Sequence, residues 1–370
     1  MKHAITQTTP LPQHALWDRA AQNRVPLSFT LEVTARCNLN CRHCYINLPA
    51  HDARARRTEL TLQEIDALSS QAVEMGALWC LVTGGEPLLR QDFPDIYRLL
   101  KRKGLLVSVF TNACLVTPEH VRLFQEFPPR DLEVTVYGIT PQTFSLVTRK
   151  PSAYPAFRQG LQRLIEGNIP VHLKTMALKS NLAEQPEIAK FCREVSPDAY
   201  RFDPLLHMRL DGNPQRNAEI RSERLTPQEI VTLEQADPPR QSALKKSCTA
   251  DLAAGDERAA SNFLIECGAG KNSFVIGYDS MFRLCEALVH TDFTYDLRQG
   301  SLKDAWQNFA PKIRILPAPK DKAQNGCWRC ALSNLCLWCP AHALLEIGQA
   351  QGPVPYFCET AHARAEALRR

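Results

Sequence analysis

The chain has 370 residues, 44% of them hydrophobic, enough to bury one large core with a smaller domain beside it. Lys and Arg number 44 against 39 Asp and Glu, and no run of one sign is long enough for a nucleic-acid-binding arm. No apolar run approaches the roughly 18 residues of a membrane span, and no signal-peptide core opens the chain, so a soluble, cytoplasmic protein is expected, with neither nucleic acid nor membrane as partner.

Residues 1–25, with Pro10 and Pro12, read as an irregular lead-in that ends before Pro26. Strands and helices then alternate. Apolar, β-branched runs predict strands at Phe29–Val33, Leu78–Val82, Leu105–Phe110, Leu132–Val136, Val171–Met176 and Tyr200–Asp203. Thr61 with Glu64 forms a capping box before a helical pattern, and Thr117-Pro118 and Thr140-Pro141 each pair an N-cap with proline at the first helical position. Further helices are predicted over Asp92–Lys103, Tyr154–Glu166 and Glu184–Glu194. Arg54–Arg57, the most basic stretch, reads as solvated surface.

Such alternation means parallel βαβ units, in a partial (β/α)6 barrel over residues 26–225 or an open doubly wound sheet. In either, ligands meet the C-terminal ends of the strands. Residues 204–225 are polar and turn-rich. Thr226-Pro227 opens a helical connector, residues 226–259, and a cysteine-rich domain is expected over 260–370.

Fourteen cysteines in a large chain without an export signal point to metal or redox chemistry rather than disulfides. Cys80, Cys114, Cys192 and Cys248 stand alone and read as small core residues. Cys37-x3-Cys41-x2-Cys44 directly follows the first strand. Three thiolates on one tight loop suit a [4Fe–4S] cube with one iron left open. A zinc site would need a fourth ligand, and only His43 or His51 is near.

The segment Cys37-Asn-Leu-Asn-Cys41-Arg-His-Cys44-Tyr45 resembles the signature of the radical S-adenosylmethionine (SAM) superfamily. The resemblance implies that the open iron binds the amino and carboxylate groups of SAM. One electron then cleaves the sulfonium bond, and the 5′-deoxyadenosyl radical takes hydrogen from a substrate. It also implies that His43 lies beside the adenine. Thr83-Gly84-Gly85-Glu86-Pro87 after the second strand matches the segment that receives the methionine amino group. Its glycines allow close backbone approach to a ligand, and Glu86 offers a carboxylate. Asn112, Lys174, Tyr137 and Asp203 at strand ends are further candidates for SAM or substrate contacts.

The distal array runs Cys267, Cys285, Cys327-x2-Cys330-x5-Cys336-x2-Cys339 and Cys358. Paired knuckles signal metal, and seven cysteines suit one four-cysteine and one three-cysteine cluster better than tetrahedral zinc. The array resembles the SPASM extension of radical SAM enzymes. By that resemblance, Cys327, Cys330, Cys336 and Cys358 hold an outer auxiliary [4Fe–4S] cluster. Cys267, Cys285 and Cys339 hold an inner one, making three clusters in all. The chain departs from the pattern in having two residues between Cys336 and Cys339, Ser280 where glycine is common, and no eighth cysteine after Cys267. The inner cluster is left with an open iron or an unidentified ligand. Glu286, next to Cys285, is a candidate proton acceptor.

The expected function is radical oxidation or cross-linking of a substrate, foremost a ribosomally made peptide that gains a thioether or carbon–carbon bond. Sulfatase-type protein maturation and tailoring of a tetrapyrrole or another small molecule are alternatives, and a zinc-stabilised binding protein is a remote one. An electron donor such as flavodoxin or ferredoxin is implied. A separate leader-peptide-binding protein is expected too, because few residues precede the first strand.

Overall fold

Six parallel strands form where apolar runs alternate with capped helices. They are β1 (Ser28–Thr34), β4 (Trp79–Gly84), β5 (Leu106–Thr111), β6 (Asp131–Thr135), β7 (Val171–Met176) and β8 (Arg201–Asp203). They lie in one sheet in that order. This is a computed structural model, and it describes residues 15–196, 200–254, 262–318, 327 and 330–369. A short parallel pair, β2 (Arg36–Cys37) and β3 (Leu48–Pro49), lies just beyond β1.

Alternation along the strands decides what each face meets. Val82, Val107, Val109, Leu132, Val134 and Leu173 are buried. They share a core with Phe93, Tyr97, Phe124, Phe157 and Leu161 of the surrounding helices. Those helices are α3 (Leu62–Glu74), α4 (Phe93–Arg102), α5 (Pro118–Glu126), α6 (Pro141–Thr148), α7 (Ala153–Glu166) and α8 (Gln185–Val195). Each fully buried Phe or Leu contributes about 1.5–3 kcal/mol. The opposite strand face is polar: Thr30, Glu32, Ser108, Glu133 and Lys174 alternate with the core residues. Thr61, Thr117 and Thr226 cap their helices as the sequence predicts, and Thr117 also forms a capping box with His120.

Two expectations change. Residues 15–22 of the supposed irregular lead-in form a helix, α1 (Ala15–Gln22), because Pro10, Pro12 and Pro26 flank this alanine-rich turn-former without interrupting it. The turn-rich stretch 204–225 contains α9 (Pro214–Glu223), started by Asn213, whose side chain accepts the Arg216 N–H at 3.0 Å. A short helix α2 (Ala53–Thr58) follows β3, and α10 (Pro227–Gln235) and α11 (Pro238–Ala254) fill the connector. The side chain of Cys248 lies outside the described residues.

The cysteine-rich region is not a detached body. Its first strand, β9 (Ser273–Ile276), pairs in parallel with β1, and β10 (Met281–Arg283) and β11 (Thr294–Asp296) continue antiparallel, giving one nine-stranded sheet. A buried ion pair between Arg283 of β10 and Glu32 of β1 ties the two parts. Ser280 explains the glycine preference at its position: it holds φ +72°, and its hydroxyl bonds Asp296 Oδ1 at 3.0 Å. Short helices α12 (Leu302–Asp304) and α13 (Ala310–Arg314), then α14 (Pro340–Ile347) and α15 (Pro355–Arg369), complete the region. Among the described residues no helix is long and apolar enough to cross a membrane.

Candidate active site

The loop after β1 is shaped by backbone contacts from several elements. Asn40 N–H and Arg42 N–H donate to the last turn of α6, at Thr148 O and Val147 O, both at 3.0 Å. Arg216 of α9 donates to Cys41 O at 2.7 Å, and Arg209 donates to Cys44 O at 3.3 Å and Asn47 O at 3.0 Å. Cys37 Sγ accepts the Leu39 N–H and Cys44 Sγ the Asn47 N–H, each at 3.4 Å. Cys37 and Cys41 are buried, and all three thiols are free of disulfides. Burial, and then mutual proximity, push Cys37 and Cys41 well above the ordinary thiol range. Three adjacent thiolates need a cationic centre to offset their repulsion.

Thr83–Pro87 is zipped to the same loop. Gly85 N–H donates to Thr34 O at 2.7 Å and Glu86 N–H to Arg36 O at 3.0 Å. Gly84 holds φ +138°, and a Cβ there would lie 2.1 Å from Thr34 O. A Cβ on Gly85 would lie 2.4 Å from Arg36 O. The glycines are therefore required by the protein's own backbone running into Cys37, a reason distinct from ligand approach. Pro87 opens a single 3-10 turn behind them.

Glu86 is fully buried. Its carboxylate accepts from Thr111 Oγ1 at 2.8 Å, Asn112 N–H at 2.7 Å and Leu88 N–H at 3.1 Å. Burial raises its pKa to about 7 against the pull of these donors. A carboxylate has about four acceptor sites, so about one remains for a cation. The Asn112 amide donates to Asn38 Oδ1 at 2.8 Å and lies 3.8 Å from Cys37 Sγ. Glu86, Asn112 and Cys37 are thus brought together. The His43 ring packs 5.6 Å from that of Tyr137, and its Nδ1 is buried with no hydrogen-bond partner among the described residues. Burial lowers its pKa to about 4, so the ring is neutral.

Lys174 is held elsewhere, ion-paired with Glu133 and 4.2 Å over the Phe110 ring. It lies on the polar strand face, with its charge already matched.

The distal cysteines form two groups. Cys327, Cys330, Cys336 and Cys358 line one small cavity of about 50 Å³ together with Trp338 and His362. Cys267, Cys285 and Glu286 line another, of about 540 Å³, which also meets Thr30, Ser108 and Arg130 at the N-terminal strand ends. Burial raises the Cys285 thiol to about 12, with a smaller contribution from Cys339. Cys339 caps α14, and its sulfur accepts the His342 N–H at 3.4 Å. Glu286 accepts a hydrogen bond from Thr30 Oγ1 at 3.1 Å. Among the described residues no three His, Cys, Asp or Glu side chains stand close enough to hold a single metal ion.

Comparison with known proteins decides the class. Residues 31–192 match the radical SAM superfamily. The chain carries a radical SAM domain. Such a domain works with a [4Fe–4S] cluster and SAM, and the free thiols, Glu86 and the unpartnered His43 fit that pair. Over 354 residues, the chain is 24% identical to "AdoMet-dependent heme synthase" of Methanosarcina barkeri, spanning 91% of this chain and 97% of that protein. Its fold resembles anSMEcpe with bound AdoMet, with a TM-score of 0.64 and 14% identity over 93% of each chain. It also resembles SuiB of Streptococcus suis bound to precursor peptide SuiA. That match has a TM-score of 0.64 and 15% identity, over 94% of this chain and 81% of the other. Both matches include the cysteine-rich region, so the fold likeness extends well past the radical SAM domain.

Arg209, Arg216 and Asn38 serve this site without having been singled out in the sequence. The two arginines sit in a polar stretch where their composition matches any solvated turn.

Proposed function

We propose that the chain is a three-cluster radical SAM enzyme that oxidises or cross-links a ribosomally made peptide. In this reading Cys37, Cys41 and Cys44 hold the SAM-binding cluster. Glu86 takes the methionine ammonium on its remaining acceptor site, Asn112 fixes the loop beside Cys37, and His43 lies by the adenine. Pro87 and the two glycines hold Glu86 in place. The bound cofactors supply a 5′-deoxyadenosyl radical. Cys267, Cys285 and Cys339 hold the inner auxiliary cluster, and Cys327, Cys330, Cys336 and Cys358 the outer one. Once bound, the auxiliary clusters would supply redox centres able to take the electron that a substrate radical has to lose. Glu286, fixed by Thr30 at the chamber wall, accepts the accompanying proton.

The observation that carries the reading is the convergence of Glu86, Asn112 and Cys37 at the C-terminal strand ends, where the buried Glu86 carboxylate accepts the Asn112 N–H at 2.7 Å and the Asn112 amide lies 3.8 Å from Cys37 Sγ. A cavity of about 540 Å³ lined by Cys267, Cys285 and Glu286 opens at the N-terminal strand ends, and its size suits an extended segment or a drug-sized ligand. The likeness to SuiB with its precursor peptide supports the peptide. A second reading, tetrapyrrole side-chain chemistry, is favoured by the full-length match to the heme synthase.

The test is anaerobic incubation with dithionite and SAM after cluster reconstitution. Methionine and 5′-deoxyadenosine should appear, with about twelve irons per chain. Zinc with little iron would sink the enzyme reading. Stimulation of 5′-deoxyadenosine formation by a carboxylated tetrapyrrole, and not by cysteine-containing peptides, would replace peptide with tetrapyrrole.

A further inference from the structure

The short helix α2 carries Arg54, Arg56 and Arg57, all exposed. Among the described residues no carboxylate pairs with any of them. Some arginines elsewhere on the surface are paired, Arg98 with Asp95 and Arg122 with Glu119. The acids nearest α2 are already engaged. Asp52 caps the helix by accepting the Ala55 N–H at 2.8 Å. Glu59 takes the Arg36 guanidinium at 2.7 and 2.9 Å and also the Thr34 hydroxyl. Only Ala55 of the helix is buried, so the helix is anchored by one small side chain and presents three uncompensated cations.

The position of this patch matters more than its charge. Arg36 directly precedes Cys37, and their strand β2 pairs with β3, which leads into α2. The Arg36 side chain spans the same region, bonding Ala50 O at 3.0 Å before the helix and Glu59 just after it. A surface cavity of about 420 Å³ lies between, lined by Arg36, Arg56, Glu59, Arg90 and Asp92. The basic helix is thus fastened by hydrogen bonds to the backbone that carries the first cluster cysteine.

Each SAM cleavage consumes one electron, which passes to the cluster from an external one-electron carrier. Cys37 and Cys41 are buried, so a carrier protein must dock on the nearest outer face. We propose that the Arg54–Arg57 face of α2 is the docking surface for an acidic one-electron carrier protein. This rests on the radical SAM reading. The carrier gives up one electron, the cluster gains it, and no bond or proton moves at the interface. Positive charge at the rim acts mainly on encounter rate and on register.

Reduced flavodoxin and the Arg54→Glu/Arg57→Glu variant provide the test. Arg56 is left intact because it lines the cavity beside Arg36. The rate of 5′-deoxyadenosine formation is measured against flavodoxin concentration and, separately, with dithionite, which needs no docking surface. The variant should raise the KM for flavodoxin about tenfold, while the dithionite-driven rate stays within about twofold. Added salt should raise the wild-type KM and leave that of the variant nearly flat. Should the variant lose iron, Arg54→Gln/Arg57→Gln and the wild-type salt dependence carry the test.

An unchanged KM for flavodoxin overturns the proposal. So does an equal loss with both reductants, or a change in substrate KM under dithionite, which would assign the patch to an acidic substrate. A wild-type enzyme that works with dithionite but accepts electrons from neither flavodoxin nor ferredoxin also overturns it. If dithionite itself yields no cleavage, the radical SAM reading fails, and this inference with it.

Discussion

The two cysteine regions differ in what holds their thiols. Cys37 and Cys41 belong to the main core, alongside Leu31, Val33 and Val82, and their loop is fixed by backbone hydrogen bonds from β1, α6 and the Gly84–Glu86 turn. Cys336 sits at the edge of two small clusters, one of Leu335, Ala361 and Ala365, the other of Ala343, Val354 and Phe357. The first loop is held by the protein's own backbone bonds and core packing. The Cys336 group is gathered around a cavity, and on the three-cluster reading its thiols would depend on a shared cluster for much of their mutual order. A chelator should therefore act unequally. Amide exchange in α14 and α15 should accelerate greatly when iron is removed, while exchange in β1, β4 and β5 changes little. Equal protection of both regions in the iron-free protein would remove the distinction.

Substitution sharpens the same contrast. Cys37→Ala should bring 5′-deoxyadenosine formation below detection, since the thiolate has no substitute at the cluster. Cys336→Ala should spare SAM cleavage, lower iron by about four per chain and stop product formation. Loss of SAM cleavage in both variants would show that the distal region supports the barrel itself.

A smaller effect is expected where the regions meet. Arg283→Met leaves Glu32 buried without a partner, which costs about 3–5 kcal/mol and should lower the unfolding midpoint by several degrees. Replacing both members with apolar residues of similar volume should recover most of that loss. Glu86→Gln preserves shape but removes the negative charge from a site already bonded to Thr111, Asn112 and Leu88. SAM affinity should weaken by about 1.5–3 kcal/mol, roughly 10- to 100-fold, with iron content unchanged.

Much of this was legible in the sequence because the signals are local. The six barrel strands lie within a residue or two of their predicted ends, since period-two apolar runs met capped helices on both sides. Thr61, Thr117 and Thr226 act as caps for the same reason. What escaped depends on partners far along the chain. Nothing in Ser273–Ile276 announces a parallel pairing with Ser28–Leu31, so the distal region read as separate when it extends the barrel sheet. Lys174 lies on β7 paired with Glu133 one strand away, a partner that the sequence does not announce. The Gly84-Gly85 motif was visible, while its steric cause, the backbone at Thr34 and Arg36, appears only in three dimensions.

The mildest test of the junction is Glu64. It belongs to the capping box of α3 and also receives Arg298 from the distal region at 2.7 Å. The Arg298 hydrogen bond, helped by the Thr61 amide and hydroxyl and opposed by slight burial, lowers its pKa to about 2. A carboxyl held below its unfolded value contributes stability that is complete above about pH 4.5 and lost as pH falls through about 2. The pair is partly exposed, so solvent and salt reduce its worth to about 1 kcal/mol or less. Glu64→Gln should therefore lower stability by that amount at neutral pH. The wild-type and variant curves should converge as the pH falls below about 4 and coincide near pH 2. A constant gap across that range would assign the effect to the cap alone and leave Arg298 without a part in joining the two regions.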